Sequence, residues 1–108
     1  MKPVIWLGDS LQRVRSFPAQ AQHEAGYQLE RVQTGVEPAD WKPMPSIGPG
    51  VQELRVRTAG AFRVVYVARF TEAVYVLHAF QKKSNKTARL DVEAARRRFN
   101  ALMAEKRQ

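Results

Sequence analysis

The stretch "VYVLHAFQKKSNKT", residues 74–87, runs from strand-forming Val74, Tyr75, Val76 and Leu77 into His78, Phe80, Lys82, Lys83 and Lys86. In an extended chain, side chains alternate between faces. His78, Phe80 and Lys82 then share one side, and Tyr75, Ala79, Gln81 and Lys83 the other. Upstream, Arg55 and Arg57 alternate with Leu54 and Val56, and Arg63 lies between Phe62 and Val64. If the apolar faces of both segments are buried together, all three guanidinium groups emerge on one side of a sheet. Arginine forks grip phosphate bidentately. Phe80 and Tyr75 can stack nucleobases. Histidine changes charge near neutral pH and can move protons. These groups suit RNA, which carries its own nucleophile in the 2′-hydroxyl. Cleavage then needs a base for the 2′ proton, cations for the phosphorane and an acid for the 5′ oxygen, but no serine or cysteine. No paired-carboxylate motif, phosphate loop or dinucleotide fingerprint points to another chemistry.

The same residues also have plainer readings. An arginine-bearing strand face can be a solvated sheet surface with cross-strand pairs, such as Glu53 to an arginine. A lone histidine at a strand end can be structural, and Tyr66 and Tyr75 can be core residues.

Composition narrows the classes. There is no cysteine, and the only histidines are His23 and His78. Disulfides and thiolate metal sites are therefore excluded, and no metal or other cofactor is expected. The formal charge is +8. From residue 82 onward, nine basic residues stand against three acidic ones, which places +6 of that charge in the last quarter of the chain. Such a concentration attracts polyanions: RNA or DNA, an anionic membrane or an acidic protein. A solvated helix face in a basic protein has the same composition. No apolar run approaches the roughly 20 residues that span a bilayer. The N-terminus lacks the long apolar stretch of a secretion signal, so the expected compartment is the cytoplasm.

The elements that must position these groups follow from pattern. With 108 residues and 44% hydrophobic content, one folded domain over 1–108 is expected. "KPVIWL" reads as a short first strand ended by Gly8. Asp9 or Ser10 can cap a helix over 10–16, with Leu11 and Val14 inward. Pro18 suits the first turn of a second helix running to about Thr34, with Ala21, Ala25, Leu29 and Val32 on its apolar face and Gly35 as its stop. Residues 36–50 hold four prolines and two glycines. They read as a long loop without an element of its own, anchored by Trp41, Met44 and Ile47. "QELRVRT", "FRVVYVARF" and residues 73–80 read as an antiparallel meander joined by "TAGA" and "TEA". The middle strand is apolar on both faces and so covered twice. A final helix spans about 89–104, with Val92, Ala95, Phe99 and Leu102 as its stripe and Arg96, Arg97 and Arg98 around the rest. The expected class is α+β: an N-terminal strand and helical hairpin, an antiparallel sheet of about four strands, and a C-terminal helix.

The run of elements, with "ELRVR", then "FRVVY", then "YVLHAFQKKSNKT" before a helix, resembles the RelE/HigB superfamily of bacterial toxins. The register "WLGDSL…FP…GYQLERVQ" followed by "ELR" resembles its phage-derived, HigB-like branch, and the likeness covers essentially the whole chain. It implies a RelE-like fold and the toxin of a type II toxin–antitoxin pair. That toxin would be a metal-independent, ribosome-associated endoribonuclease acting on messenger RNA, held inactive by a cognate antitoxin of helix-turn-helix or ribbon-helix-helix type. By position, the resemblance assigns the phosphate-contacting arginine to Arg63, a catalytic cation to Lys83 and a possible base to His78. Arg55, Arg57, Phe80, Lys82 and Lys86 are the accompanying RNA contacts. Two departures stand out. No tyrosine follows the last strand, where several members have one, and Glu53 occupies a position where some relatives have lysine. A non-catalytic regulator that binds RNA or the ribosome, or a basic phage-derived interaction module, would share the cationic face without the cleavage.

Overall fold

Two short turns reverse the chain between its most strand-prone segments, so the middle of the sheet is a meander. The fold is that of a computed structural model, described over residues 1–84 and 88–107. In chain order the elements are β1 (Val4–Trp6), α1 (Ser10–Arg15), α2 (Ala19–Gln33), β2 (Trp41–Pro43), β3 (Val51–Val56), β4 (Phe62–Val67), β5 (Val74–Gln81) and α3 (Arg89–Lys106). They form the expected α+β arrangement. Strands β3, β4 and β5 pair antiparallel, as expected for consecutive strands with short connections.

The sheet departs from the expected four antiparallel strands. It has five, in the order β1-β5-β4-β3-β2, and it is mixed because β1 lies parallel to β5. The fifth strand, β2, lies inside the proline-rich segment read as a plain loop. It pairs antiparallel with β3 and sets Lys42 opposite Glu53. Three residues are too few to show a period, and proline is tolerated on a sheet edge because one side of the strand needs no donor. Met44 and Ile47 are buried and Trp41 is half-buried, so the segment packs down as expected.

The two faces of the sheet are covered differently. Leu54, Val56, Phe62, Val64 and Tyr66 pack against Val14, Phe17, Ala21, Ala25, Leu29 and Val32 of the helical hairpin. The other face packs Val51, Val65, Val67, Tyr75 and Leu77 against Ala95, Phe99 and Leu102 of α3. Strand β4 is buried along its whole length. Phe70 lies beyond β4, which ends at Val67, and packs on the α3 side.

A register shift interrupts the β4–β5 ladder. Val65 pairs with His78, but the next residue, Tyr66, pairs with Val76. The extra residue, Leu77, breaks the strict alternation, as a β-bulge does. Tyr75, Leu77 and Phe80 consequently all lie on the α3 side, although simple alternation would separate Tyr75 from Phe80. Helix α1 starts without the expected side-chain cap, since Asp9 makes no cap hydrogen bond. Its carboxylate is used instead by Arg13 and Arg98.

A cationic cluster and a histidine relay

The arginine face forms because β3 and β4 pair Arg55 directly opposite Arg63. Arg63 is in turn opposite Phe80 on β5, so the meander brings Arg55 and Arg63 together near the C-terminal end of β5. Arg57, just beyond β3, remains exposed. At the centre of the cluster stands a carboxylate. Glu53 is fully buried, and its Oε1 lies 3.4 Å from Arg63 Nε, 3.8 Å from Arg55 Nε and 4.0 Å from Lys42 Nζ. Asp40 forms an outer bracket. It accepts a hydrogen bond from Arg57 Nε at 2.7 Å and lies 3.9 Å from Arg55 Nη1.

Arg63 is only 4% exposed. Its Nη1 donates to the carbonyl of Phe62 at 3.0 Å, while its Nε has no hydrogen-bond acceptor. Burial pulls the guanidinium below its ordinary pKa, and Glu53 opposes that shift. Lys82 belongs to the same cluster. Its pKa is also lowered, first by burial and then by the Arg63 guanidinium. The cluster therefore gathers Arg55, Arg63 and Lys82, with Arg57 at its margin. Lys42 joins them, although nothing in its local sequence marked it, because it depends on the pairing of β2. A cross-strand pair between Glu53 and an arginine was legible from alternation; its depth was not.

His78, Phe80 and Lys83 belong to neighbouring ground. Phe80 and Lys83 line a cleft of about 340 Å³ at the edge of β5, together with Arg13, Gln81, Ala88 and Asp91. Phe80 itself is buried, and its ring stacks on that of His78 with centroids 5.7 Å apart. It therefore offers little open surface to a base. Tyr75 is buried elsewhere, donating to Glu72 at 2.8 Å and meeting Phe70 edge to face. Lys86 lies outside the described residues.

The surroundings of His78 fix its protonation. The ring is 1% exposed. Its Nδ1 is 3.1 Å from Arg98 Nη1, and its Nε2 is 2.7 Å from Asp91 Oδ1. Arginine can only donate, so Nδ1 accepts, and the proton sits on Nε2 and is donated to Asp91. Burial lowers the pKa of the ring. Asp91 opposes this, and Arg13 and Arg98 add to the lowering. The cations that lower it are therefore Arg13 and Arg98, not Lys83 or Arg63. The one lone pair of the neutral ring is occupied by Arg98, so the ring has none to spare for an RNA hydroxyl. Arg98 also donates to the Leu77 carbonyl at 2.9 Å and to Asp9 Oδ1 at 2.6 Å. A relay of Arg13, Asp9, Arg98, His78 and Asp91 thus ties α1, β5 and α3 together.

No group of His, Cys, Asp and Glu able to hold a metal ion occurs among the described residues. Residues 12–100 match a family described as phage derived protein Gp49-like (DUF891). No curated protein matches the chain.

Proposed function

The chain belongs to the phage-derived Gp49-like family, and from that premise we propose that it is a RelE-type toxin, a metal-independent endoribonuclease acting on messenger RNA at the ribosome. The observation that carries this reading is the cluster of Lys42, Arg55, Arg63 and Lys82 gathered around Glu53, a set of cations of the kind a scissile phosphate needs. In the proposed reaction the RNA 2′-oxygen attacks phosphorus and the bond to the 5′ oxygen breaks. The products are a 2′,3′-cyclic phosphate and a 5′-hydroxyl. Arg63 stabilises the charge that develops on the phosphorane. Lys82, beside Arg63 in the cluster, exchanges protons with the reacting oxygens. Lys83, Arg55 and Arg57 hold the flanking backbone, with Lys86 as a further contact expected from sequence. His78 acts through the relay to place the end of β5. The expected partners are the ribosome with its messenger RNA and a cognate antitoxin, of helix-turn-helix type, in the cytoplasm. No helix among the described residues is long and apolar enough to cross a membrane.

The test is induction of the wild-type chain and of Arg63→Ala in a bacterium, with messenger RNA ends mapped. New 5′-hydroxyl ends with wild type and their absence with the variant support the reading. A second reading, a regulator that binds RNA or the ribosome without cutting, is favoured by the engagement of both His78 nitrogens. Growth arrest without new ends would select it.

A further inference from the structure

We propose that Glu53 is a positioning residue: its buried carboxylate, approached by Arg63, Arg55 and Lys42, holds the Arg63 guanidinium in place so that the phosphate site is set before RNA arrives. This inference rests on the reading of the cluster as the phosphate site.

Three observations carry it. First, the carboxylate is fully buried, yet among the described residues three cations converge on its Oε1 from three strands, at 3.4, 3.8 and 4.0 Å. A solvated surface pair would hold neither partner so firmly. Second, Nη1 of Arg63 is tied to the Phe62 carbonyl and Nε faces Glu53, so two sides of the guanidinium are set by the protein. Without the carboxylate, only the first of these two contacts would remain. Third, the Nε groups of both Arg63 and Arg55 are buried without a hydrogen-bond acceptor, and their distances to Glu53 exceed hydrogen-bond length. The carboxylate thus orients the two guanidinium groups by charge while leaving both Nε donors unsatisfied. A phosphate entering the cluster therefore meets guanidinium groups whose edges toward Glu53 are already set.

A group that positions cations and also neutralises part of their charge has opposite effects on binding and on turnover. Replacing it with a neutral isostere raises the local positive potential, which favours RNA in the ground state. The same change releases Arg63, which weakens stabilisation of the transition state.

The experiment compares full-length wild type, Glu53→Gln and Glu53→Asp. Side-chain ¹⁵N relaxation of the Arg63 Nε–H reads its order directly and needs no activity. In wild type it should be as ordered as the backbone, and in Glu53→Gln it should become mobile. An RNA oligonucleotide blocked by a 2′-deoxy substitution should bind Glu53→Gln about three- to tenfold more tightly. Single-turnover cleavage on programmed ribosomes should fall by roughly tenfold or more. Glu53→Asp keeps the charge but draws it back, so its RNA affinity should stay near wild type while cleavage falls. It also provides the decisive comparison if Glu53→Gln does not fold. Arg63 remaining fully ordered in Glu53→Gln overturns the inference, as does unchanged cleavage in Glu53→Asp. Failure of the ribonuclease reading looks different: wild type itself would leave RNA uncut, and the order of Arg63 would still decide the role of Glu53.

Discussion

In the proposed reaction Arg63 meets the charge that develops on phosphorus, and its burial makes its environment poor in water. Interactions of this kind are strongest in the transition state. Arg63→Ala is therefore expected to abolish growth arrest. The loss of stability should be modest, on the order of 1–3 kcal/mol, because Arg55 and Lys42 still face Glu53. Arg63→Lys should rescue poorly, since an ammonium lacks the fork. Arg15→Ala, on an exposed position of α1, should leave toxicity intact. Growth curves beside thermal melts of the purified variants separate lost function from lost fold. For His78 the expected signature is in stability. Its folded pKa lies below the unfolded value of about 6.5. Between those two values the unfolded chain binds more protons, so this contribution to stability is complete above about pH 6.5 and is lost as pH falls through that window. Melting midpoints measured from pH 7.5 to 5.5 should decline for wild type, and His78→Gln should lack this part of the decline. Glu72, lowered to about 2 by Lys106 and Tyr75, and Asp9, lowered chiefly by Arg13, act only in a more acidic range.

At the level of elements, the bulge in β5 and the start of α1 are joined by Arg98. Gly8 has φ +55°, a left-handed conformation, and a Cβ there would lie 2.3 Å from Arg98 Nε. Glycine is needed twice over, for the backbone and for the guanidinium lying against it. Gly8→Ala should destabilise the protein by about 1–3 kcal/mol, through strain and displacement of Arg98. Because Arg98 donates to His78 Nδ1, the variant should also shift the His78 titration, which an NMR pH series can read. Gly48 makes a similar close approach under α3, where a Cβ would lie 2.2 Å from the Phe99 ring. The proline-rich segment is thus packed under the helix, and Gly48→Ala should lower the melting midpoint by overpacking, a loss of about 1–3 kcal/mol.

For the whole molecule, the formal charge overstates the free cationic surface. Arg98 is spent on Asp9, Lys106 is paired with Glu72, and Arg96 donates to the Ser46 carbonyl. Under the proposed function, the field that would meet RNA comes largely from the sheet cluster and the basic residues that follow β5 in sequence. Binding should be strongly salt-dependent. If about six phosphates are neutralised, affinity for single-stranded RNA should fall roughly 10²-fold between 50 and 200 mM salt. An affinity titration at several salt concentrations measures that slope, and a flat response would remove the electrostatic premise.

Sequence by itself determined the helices, the central meander and the sharing of one sheet face by Arg55 and Arg63. These follow from local period and short turns, which the residues themselves encode. The resemblance in "ELRVR", "FRVVY" and "HAFQKK" pointed to the toxin superfamily, and the family match to residues 12–100 agrees at the coarser, phage-derived level. Tertiary structure decided the rest. The three-residue β2 has no period to read and exists only through its pairing with β3, which is what brings Lys42 to Glu53. The bulge at Leu77 depends on two strands meeting out of step, and it decides which β5 side chains share a face. The depth of Glu53 and the capture of His78 between Arg98 and Asp91 arise from residues distant in the chain. Alternation gives the side of a sheet on which a charged group lies. Whether that group meets water, a partner or a counter-charge depends on what folds over it.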